Sequence, residues 1–317
     1  MNDKSLIFDI YRGTTHDGTG LRTTIFFKAC PLSCKWCHNP ESIDFDNQVW
    51  FTKRKCIGCR TCNNVSSKEI ISVDDGKISL ATDVKDIPKI CAENCPTKAL
   101  SMVAKEYSVD EIYKEAIKDE VYFQSFGGGV TISGGEPASD YKFVKELLIK
   151  LKEKGIHTAL DTSGFAKWSV YEELLSYVDC ILYDIKLIDS TQHKNLTNVN
   201  NELILENLER IITYKRQKKP NLTLWVRTPL IPFATASKSN VRKIGSLLTE
   251  LGESEIDRWE LCAFNNTCKS KYEQLGLDWE YKDADLLSES KTDEMLKVAR
   301  EAFNEDKTLI SGFTSKN

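Results

Sequence analysis

The chain has 317 residues, of which 41% are hydrophobic, and its 43 basic against 47 acidic side chains give a net charge of −4. That size and composition fit one large folded unit or a domain with a small companion. No apolar run reaches the length of a membrane span, and scattered Lys and Arg on an acidic chain argue against nucleic acid as the main partner. The start, Met1-Asn2-Asp3-Lys4-Ser5, runs straight into strand-like Leu6-Ile7-Phe8-Asp9-Ile10 without the charged, apolar and small-residue succession of a secretory leader, so a cytoplasmic protein is expected. In that compartment eleven cysteines read as metal ligands rather than disulfides, and the odd count agrees.

After a glycine-containing turn, His16-Asp17-Gly18-Thr19-Gly20-Leu21-Arg22-Thr23, the apolar run Thr24-Ile25-Phe26-Phe27 delivers Cys30-Pro-Leu-Ser-Cys34-Lys-Trp-Cys37-His38-Asn39-Pro40-Glu41. Three thiolates separated by three and then two residues are one short of a closed zinc site, which takes four ligands, usually in pairs. A [4Fe-4S] cluster held by three cysteines instead leaves one iron open to another ligand. A zinc site and a set of redox thiols are the competing readings of the same cysteines.

The CxxxCxxC spacing resembles that of the radical S-adenosylmethionine (SAM) enzymes. The longer run from His16 to Ser42 resembles the opening of the activating enzymes of glycyl radical enzymes, the group that includes the pyruvate formate-lyase activase. Thr19 stands where that family usually has proline, and Ala29 where it usually has glycine. The resemblance implies that Cys30, Cys34 and Cys37 hold a [4Fe-4S] cluster and that the amino and carboxylate groups of SAM occupy the open iron. One electron then splits SAM into methionine and a 5′-deoxyadenosyl radical, chemistry that belongs to the cofactor. Trp36 and Asn39 are expected beside the cofactors, with a plain core aromatic the equal reading of Trp36.

Residues 49–102 form a second cysteine-rich segment, with Cys56-Ile-Gly-Cys59-Arg-Thr-Cys62 followed by Cys91-Ala-Glu-Asn-Cys95-Pro96. This resembles a bacterial two-cluster ferredoxin, in which three cysteines of one run share a cluster with the fourth cysteine of the other. That pairing assigns Cys56, Cys59, Cys62 and Cys95 to one complete [4Fe-4S] site. The second site falls on Ser66, Lys85, Pro88 and Cys91 and is eroded, which makes Cys91 a free thiol in preference to a replacement ligand. A zinc site on the same cysteines is the alternative.

Strands then alternate with helices. Ser108-Val-Asp-Glu111 is a capping box that opens a helix to about residue 120. Strands over 130–133, 157–160, 180–183, 222–226 and 258–262 alternate with helices over 141–154, 170–176, 202–218, 241–251 and 292–304. The alternation predicts a parallel sheet, and with the resemblance an α/β fold: a partial (β/α)6 TIM-like radical SAM barrel, residues 1–48 and 103–317, carrying a ferredoxin-like insert. The last helix is expected to pack over the barrel's open side.

Polar motifs fall at the C-terminal ends of these strands, where such barrels place their sites. By resemblance, Gly134-Gly135-Glu136 receives the amino group of SAM, with two glycines for close backbone approach and Glu136 to accept hydrogen bonds. Lys186 pairs with its carboxylate. Asp161, Thr162, Ser163 and Asp184 lie beside it, and Asp161, Thr162 and Asp184 match a monovalent-cation site of some activases. Arg227 and Asn265 are placed at the ribose or methionine end, a structural ion pair being the other reading of Arg227. The stretch Asp184-Ile-Lys186-Leu-Ile-Asp189-Ser-Thr-Gln-His193-Lys-Asn-Leu-Thr197-Asn198 matches a family segment linked to holding the partner's glycyl loop, with Asn198 for the final glycine; Phe233 replaces glycine in Arg227-Thr-Pro229-Leu-Ile-Pro232-Phe233. Cys180, Cys262 and Cys268 lack ligand spacing, and the first two read as small apolar residues on strands.

The expected function is that of an oxidoreductase which, under anaerobic conditions, removes a hydrogen from a glycine α-carbon of a partner glycyl radical enzyme. The chain has no glycyl loop of its own, so that loop comes in trans, and a flavodoxin or ferredoxin is the expected electron donor. The insert is then a relay or a docking surface. A radical SAM enzyme acting on a small molecule and a simple iron–sulfur electron carrier are the alternatives.

Overall fold

The computed structural model describes residues 4–315, so Met1, Asn2 and Asp3 of the expected leaderless start lie outside the described residues. In chain order, β1 (Lys4–Thr14) and β2 (Arg22–Phe27) form an antiparallel pair in which Ile10 faces Ile25. The insert follows with β3 (Val49–Phe51), α1 (Thr61–Ser66), the hairpin β4 (Ile71–Asp74) and β5 (Lys77–Leu80), α2 (Lys89–Glu93) and β6 (Leu100–Met102). Next come β7 (Lys105–Ser108), α3 (Val109–Ala116), α4 (Glu120–Phe126), β8 (Gly129–Gly134), α5 (Tyr141–Glu153), β9 (His157–Thr162), α6 (Trp168–Leu174) and β10 (Cys180–Asp184). The chain closes with α7 (Ser190–Thr197), α8 (Glu202–Lys218), β11 (Thr223–Leu230), α9 (Lys238–Gly252), β12 (Arg258–Ala263), α10 (Lys269–Leu275), α11 (Glu289–Ala302) and β13 (Thr308–Ser311).

One nine-stranded sheet runs in the order β13-β12-β11-β10-β9-β8-β2-β1-β7. Neighbours from β2 to β13 are parallel, while β1 and β7 close the far edge antiparallel. Central strands such as Val130-Thr131-Ile132 and Ile181-Leu182-Tyr183 are buried throughout, as expected where helices cover one face and the strands curl around the other. On α5, Val144, Leu147, Leu148 and Leu151 fall at i, i+3, i+4 and i+7 and are fully buried. Each contributes roughly 1.5–3 kcal/mol by leaving water. Ser108 caps α3 through the reciprocal bonds with Glu111 that the sequence signalled.

The tail departs from expectation. After α11 the chain returns as β13, pairing with β12 at Trp259 and Thr308, and so widens the sheet by a parallel strand instead of lying over its open side. Thr308-Leu-Ile-Ser is too short to show a strand period. The helices α4, α7 and α10 were also missed, each being only seven or eight residues long.

At the N-terminal end of the strands, fully buried Arg22 plugs the barrel. Its Nε donates to Thr131 Oγ1 at 2.6 Å and its other nitrogens to Val130 O at 2.8 Å and Thr19 O at 3.0 Å. His157 Nδ1 lies 3.3 Å away, a satisfied interior histidine. The opposite end is left for chemistry. In the insert, β3 and β6 pair antiparallel with Val49 opposite Met102, and Ile70, Ile71, Val84, Ile87, Cys91 and Leu100 pack into a separate apolar cluster. No helix among the described residues is long and apolar enough to cross a membrane.

Candidate active site at the strand ends

Strand β2 delivers the first cysteine through a sharp turn at Ala29, whose φ of 80 lies in the left-handed region. The loop is then pinned by its backbone. Cys30 N–H donates to Ile43 O at 3.2 Å, Ser33 N–H to Thr197 O at 2.9 Å, Lys35 N–H to Leu196 O at 3.0 Å and Cys37 N–H to Cys34 O at 3.0 Å. The carbonyls of Leu196 and Thr197 belong to the last turn of α7, where a helix has no internal donors left to offer. That helix starts with Asp189 as its N-cap and stops at Asn198 with φ 70. His193 is 1% exposed and its Nδ1 is 2.7 Å from Val199 O. The end of the Asp189-to-Asn198 segment, expected to hold a partner's loop, also pins the cysteine loop, and its His193 and Thr197 are buried.

The glycine pair serves the same loop. A Cβ on Gly134, whose φ is +124, would lie 2.2 Å from Phe27 N and O, and one on Gly135 would lie 2.3 Å from Ala29 O. Backbone bonds from Gly135 to Phe27 O and from Glu136 to Ala29 O, at 2.7 and 2.8 Å, use that closeness. The tight approach of Gly134 and Gly135 is thus to the cysteine loop, where a ligand had been expected. Glu136, 1% exposed, has both oxygens occupied. Oε1 accepts from Ala138 N–H and the Thr162 hydroxyl, and Oε2 from Ser163 N–H and the Ser163 hydroxyl, at 3.1, 2.7, 2.7 and 2.5 Å. A carboxylate offers about four acceptor sites, so an ammonium group would have to displace an existing donor. Glu136, Thr162 and Ser163 tie the end of β8 to the end of β9.

The three thiols lie near enough to influence one another, although among the described residues no three His, Cys, Asp or Glu side chains are grouped tightly enough to hold a metal ion. Burial raises Cys30 well above the usual thiol range, reinforced by Glu136 and by Cys34 and Cys37. Cys37 is pushed up to about 12 by burial with Cys34 beside it. Lys186 is buried, yet Asp184, Cys34 and Cys30 around it hold its charge, and its Nζ donates to Asp184 Oδ2 at 2.6 Å. A lysine just beyond β10 thereby lies within electrostatic reach of Cys34 and Cys30 in the loop that follows β2. Two buried polar atoms near these groups, His38 Nε2 and Arg227 Nε, have no hydrogen-bond partner. Three neighbouring cysteines, a lysine with donors to spare and the orphaned Nε of Arg227 make a donor set that suits a cluster with a polar, carboxylate-bearing ligand.

Arg227, on β11, closes the set. Its guanidinium lies 2.5 Å from Asp161 Oδ1, and its Nε lies 3.5 Å from Asp184 Oδ1. Asp161 Oδ2 accepts from the Ser133 hydroxyl at 2.7 Å. Burial, opposed by Arg227 and aided by Asp184, pushes Asp161 up to about 6, whereas Lys186 and Arg227 overcome burial and hold Asp184 low. Asp161 and Asp184 thus stand as two acids against two bases, Arg227 and Lys186. The carboxylates expected to hold a monovalent cation face a guanidinium, and Thr162 spends its hydroxyl proton on Glu136. This residue set does not fit a free cation.

The other expected residues lie near but with altered partners. Asn39 Oδ1 accepts from Lys271 at 2.8 Å, and Asn265 Oδ1 accepts from the Thr267 hydroxyl at 2.6 Å. Trp36 is buried in an aromatic cluster with Phe264, Tyr272, Trp279 and Tyr281, against which Cys34 packs. Cys180 is fully buried, but Cys262 is only partly buried and lies near Arg227. Sequence reasoning missed a clamp on the cysteine loop. Tyr272 donates to Cys37 O at 2.8 Å, Trp279 Nε1 to Lys35 O at 3.0 Å, and Lys271 pairs with buried Glu41 at 2.6 Å. Tyr272 and Trp279 act on backbone carbonyls and Lys271 on a carboxylate, and the three form no spaced motif, so only the local aromatic density signalled them. The other side of α10 meets the insert, with Gln274 accepting from Thr52 at 3.1 Å and Leu275 in one apolar cluster with Trp50 and the adjoining Val103 and Ala104.

In the insert, Cys56, Cys59, Cys62 and Cys95 line one small cavity of about 20 Å³. Cys91 is not among them; it is fully buried, with its thiol 3.6 Å from Cys62 O and beside Ser66. Burial of Cys95 is outweighed by hydrogen bonds from Leu100 N–H and Thr97, which lower it below the usual thiol range. The eroded second site is filled by apolar packing of Val84, Ile87 and Cys91.

Residues 16–205 match the family described as a 4Fe-4S single cluster domain. The chain is 37% identical over 298 residues to the 4-hydroxyphenylacetate decarboxylase activating enzyme of Clostridium scatologenes, covering 91% of this chain and 92% of that one. It is 35% identical over 294 residues to the trans-4-hydroxy-L-proline dehydratase activating enzyme of Clostridioides difficile, covering 92% and 95%. A solved domain of the pyruvate-formate lyase-activating enzyme from Bacteroides vulgatus aligns with 59% of this chain and 100% of its own, at 25% identity and a TM-score of 0.45. At this identity and over nearly its whole length, the chain belongs to the radical SAM activating enzymes of glycyl radical enzymes.

Proposed function

We propose that this chain removes one hydrogen from the α-carbon of a glycine in a partner glycyl radical enzyme, using Cys30, Cys34 and Cys37 as the ligands of its catalytic cluster. When bound there, a [4Fe-4S] cluster with SAM on its open iron supplies the reductive cleavage and the hydrogen-abstracting chemistry. The observation that supports this reading is the nearness of Lys186, which comes from a different strand end, to Cys34 and Cys30. Lys186 binds the carboxylate of SAM with the donors that Asp184 does not use. Asp184 keeps that lysine charged and aimed. Gly134, Gly135, Glu136, Thr162 and Ser163 hold the rim against which SAM rests, and Trp36, Asn39, Asp161, Arg227 and Asn265 complete its wall.

Residues 49–102 act as a separate iron–sulfur module within the barrel chain, with Cys56, Cys59, Cys62 and Cys95 holding a second [4Fe-4S] cluster. The module takes electrons from a flavodoxin or ferredoxin in the cytoplasm and passes them toward the barrel, with α10 as the structural link. The relatives are named for partners of different chemistry, so the feature this site recognises is the glycine-bearing loop. The test is electron paramagnetic resonance of the reduced, reconstituted chain mixed with a protein carrying such a loop. A glycyl radical that requires both SAM and this chain is expected; SAM cleavage without any protein radical would contradict the reading.

A further inference from the structure

The four charges behind the proposed SAM site form a closed set. Asp161 meets Arg227 at 2.5 Å, Asp184 meets Lys186 at 2.6 Å, and Arg227 Nε stands 3.5 Å from Asp184 as a buried donor without a hydrogen bond. Arg227 is on the strand beside β10, in register with Asp184, and Ile185 N–H donates to its carbonyl at 2.9 Å. The guanidinium is therefore fixed by the sheet between two carboxylates that come from the ends of β9 and β10. A guanidinium cannot lose its charge under physiological conditions and offers donors in a fixed fork. It supplies permanently what a bound alkali ion would supply only at sufficient concentration.

We propose that Arg227 is the built-in counter-cation of Asp161 and Asp184, so that this enzyme binds SAM without a monovalent metal ion. Arg227 is in this account a positioning residue: it neutralises Asp161 and leaves Asp184 to orient Lys186. The inference rests on SAM binding beside these acids, as proposed above.

The experiment measures SAM affinity by equilibrium dialysis on the cluster-loaded full chain in potassium, sodium and tetramethylammonium chloride at equal ionic strength. Dissociation constants agreeing within about twofold in the three salts are expected, and weakening of about tenfold or more in tetramethylammonium, an ion too large for such a site, would overturn the proposal. Arg227→Gln, with cluster content verified by iron analysis, is expected to bind SAM about tenfold more weakly in tetramethylammonium than in potassium, because Asp161 is left without a counter-charge while Asp184 keeps only Lys186. Salt-independent affinity in that variant would also count against Arg227 as the counter-cation. If Arg227→Gln does not load its cluster, Arg227→Lys takes its place and is expected to keep wild-type salt independence; a potassium requirement in it would contradict the assignment. Absence of SAM binding in every salt would overturn the functional reading itself, an outcome distinct from salt dependence.

Discussion

The chain carries two cysteine sites that differ in what surrounds the sulfur. In the barrel, Cys30, Cys34 and Cys37 lie among Glu136, Asp184 and Lys186, with Arg227 and Asp161 behind them. The cavity of the insert is lined, besides its four cysteines, by residues such as Phe51, Ile71, Pro96 and Leu100 and by no ionisable side chain. Three thiols with charged neighbours leave a corner and a means of orienting a charged ligand; four thiols in an apolar shell leave neither. Ligand chemistry alone does not separate a catalytic cluster from an electron-transfer one, but the neighbouring charges do.

The sharpest break between the two sites is expected from removing their ligands. Cys34→Ala should abolish formation of 5′-deoxyadenosine, measured chromatographically, with any reductant. The double variant Cys56→Ser, Cys59→Ser should retain SAM cleavage driven by a small strong reductant and lose it only with a protein electron donor. Equal loss in both variants with the small reductant would erase the distinction. Next in size, Lys186→Ala should weaken SAM binding by about 1.5–3 kcal/mol, or roughly 10- to 100-fold, while leaving iron content unchanged. Within the insert, Cys91→Ala should keep iron near eight per chain, as two [4Fe-4S] clusters require. It should cost only about 1 kcal/mol of stability from the small void, seen as a slightly lower Tm. Loss of about four irons in this variant would make Cys91 a ligand.

The smallest effects concern the backbone. Ala29, Asn198 and Phe233 occupy positions at which the resemblance leads one to expect glycine, and all three have positive φ, at 80, 70 and 62. Phe233 is also 100% exposed, so no packing offsets its strain. Phe233→Gly should raise stability by about 0.5–1 kcal/mol, the relief of left-handed strain exceeding the added chain entropy. A lower Tm in this variant would show that the ring has a packing role.

These three positions also show what was legible from sequence. A turn that needs left-handed backbone survives replacement of its glycine, so the cysteine loop and strand-end motifs could be located despite Ala29, Asn198 and Phe233. The alternation of apolar runs with amphipathic helices located the strands from β8 to β12. Side-chain direction was not legible. Glu136 turns to Thr162 and Ser163, and Arg227 to Asp161, because neighbouring strand ends offer those partners only after the sheet has assembled. The clamp from Lys271, Tyr272 and Trp279 stayed hidden for a related reason: its targets are a carboxylate and backbone carbonyls far away in the chain.

The most direct test of the account follows a single hydrogen. A partner glycyl radical enzyme is prepared with its glycines deuterated at the α-carbon and incubated with the reduced chain and SAM, and the 5′-deoxyadenosine produced is analysed by mass spectrometry. The account predicts one deuterium in that product, appearing in step with the glycyl radical signal. Unlabelled 5′-deoxyadenosine formed alongside a protein radical would mean that the hydrogen came from elsewhere, and would contradict direct abstraction from glycine.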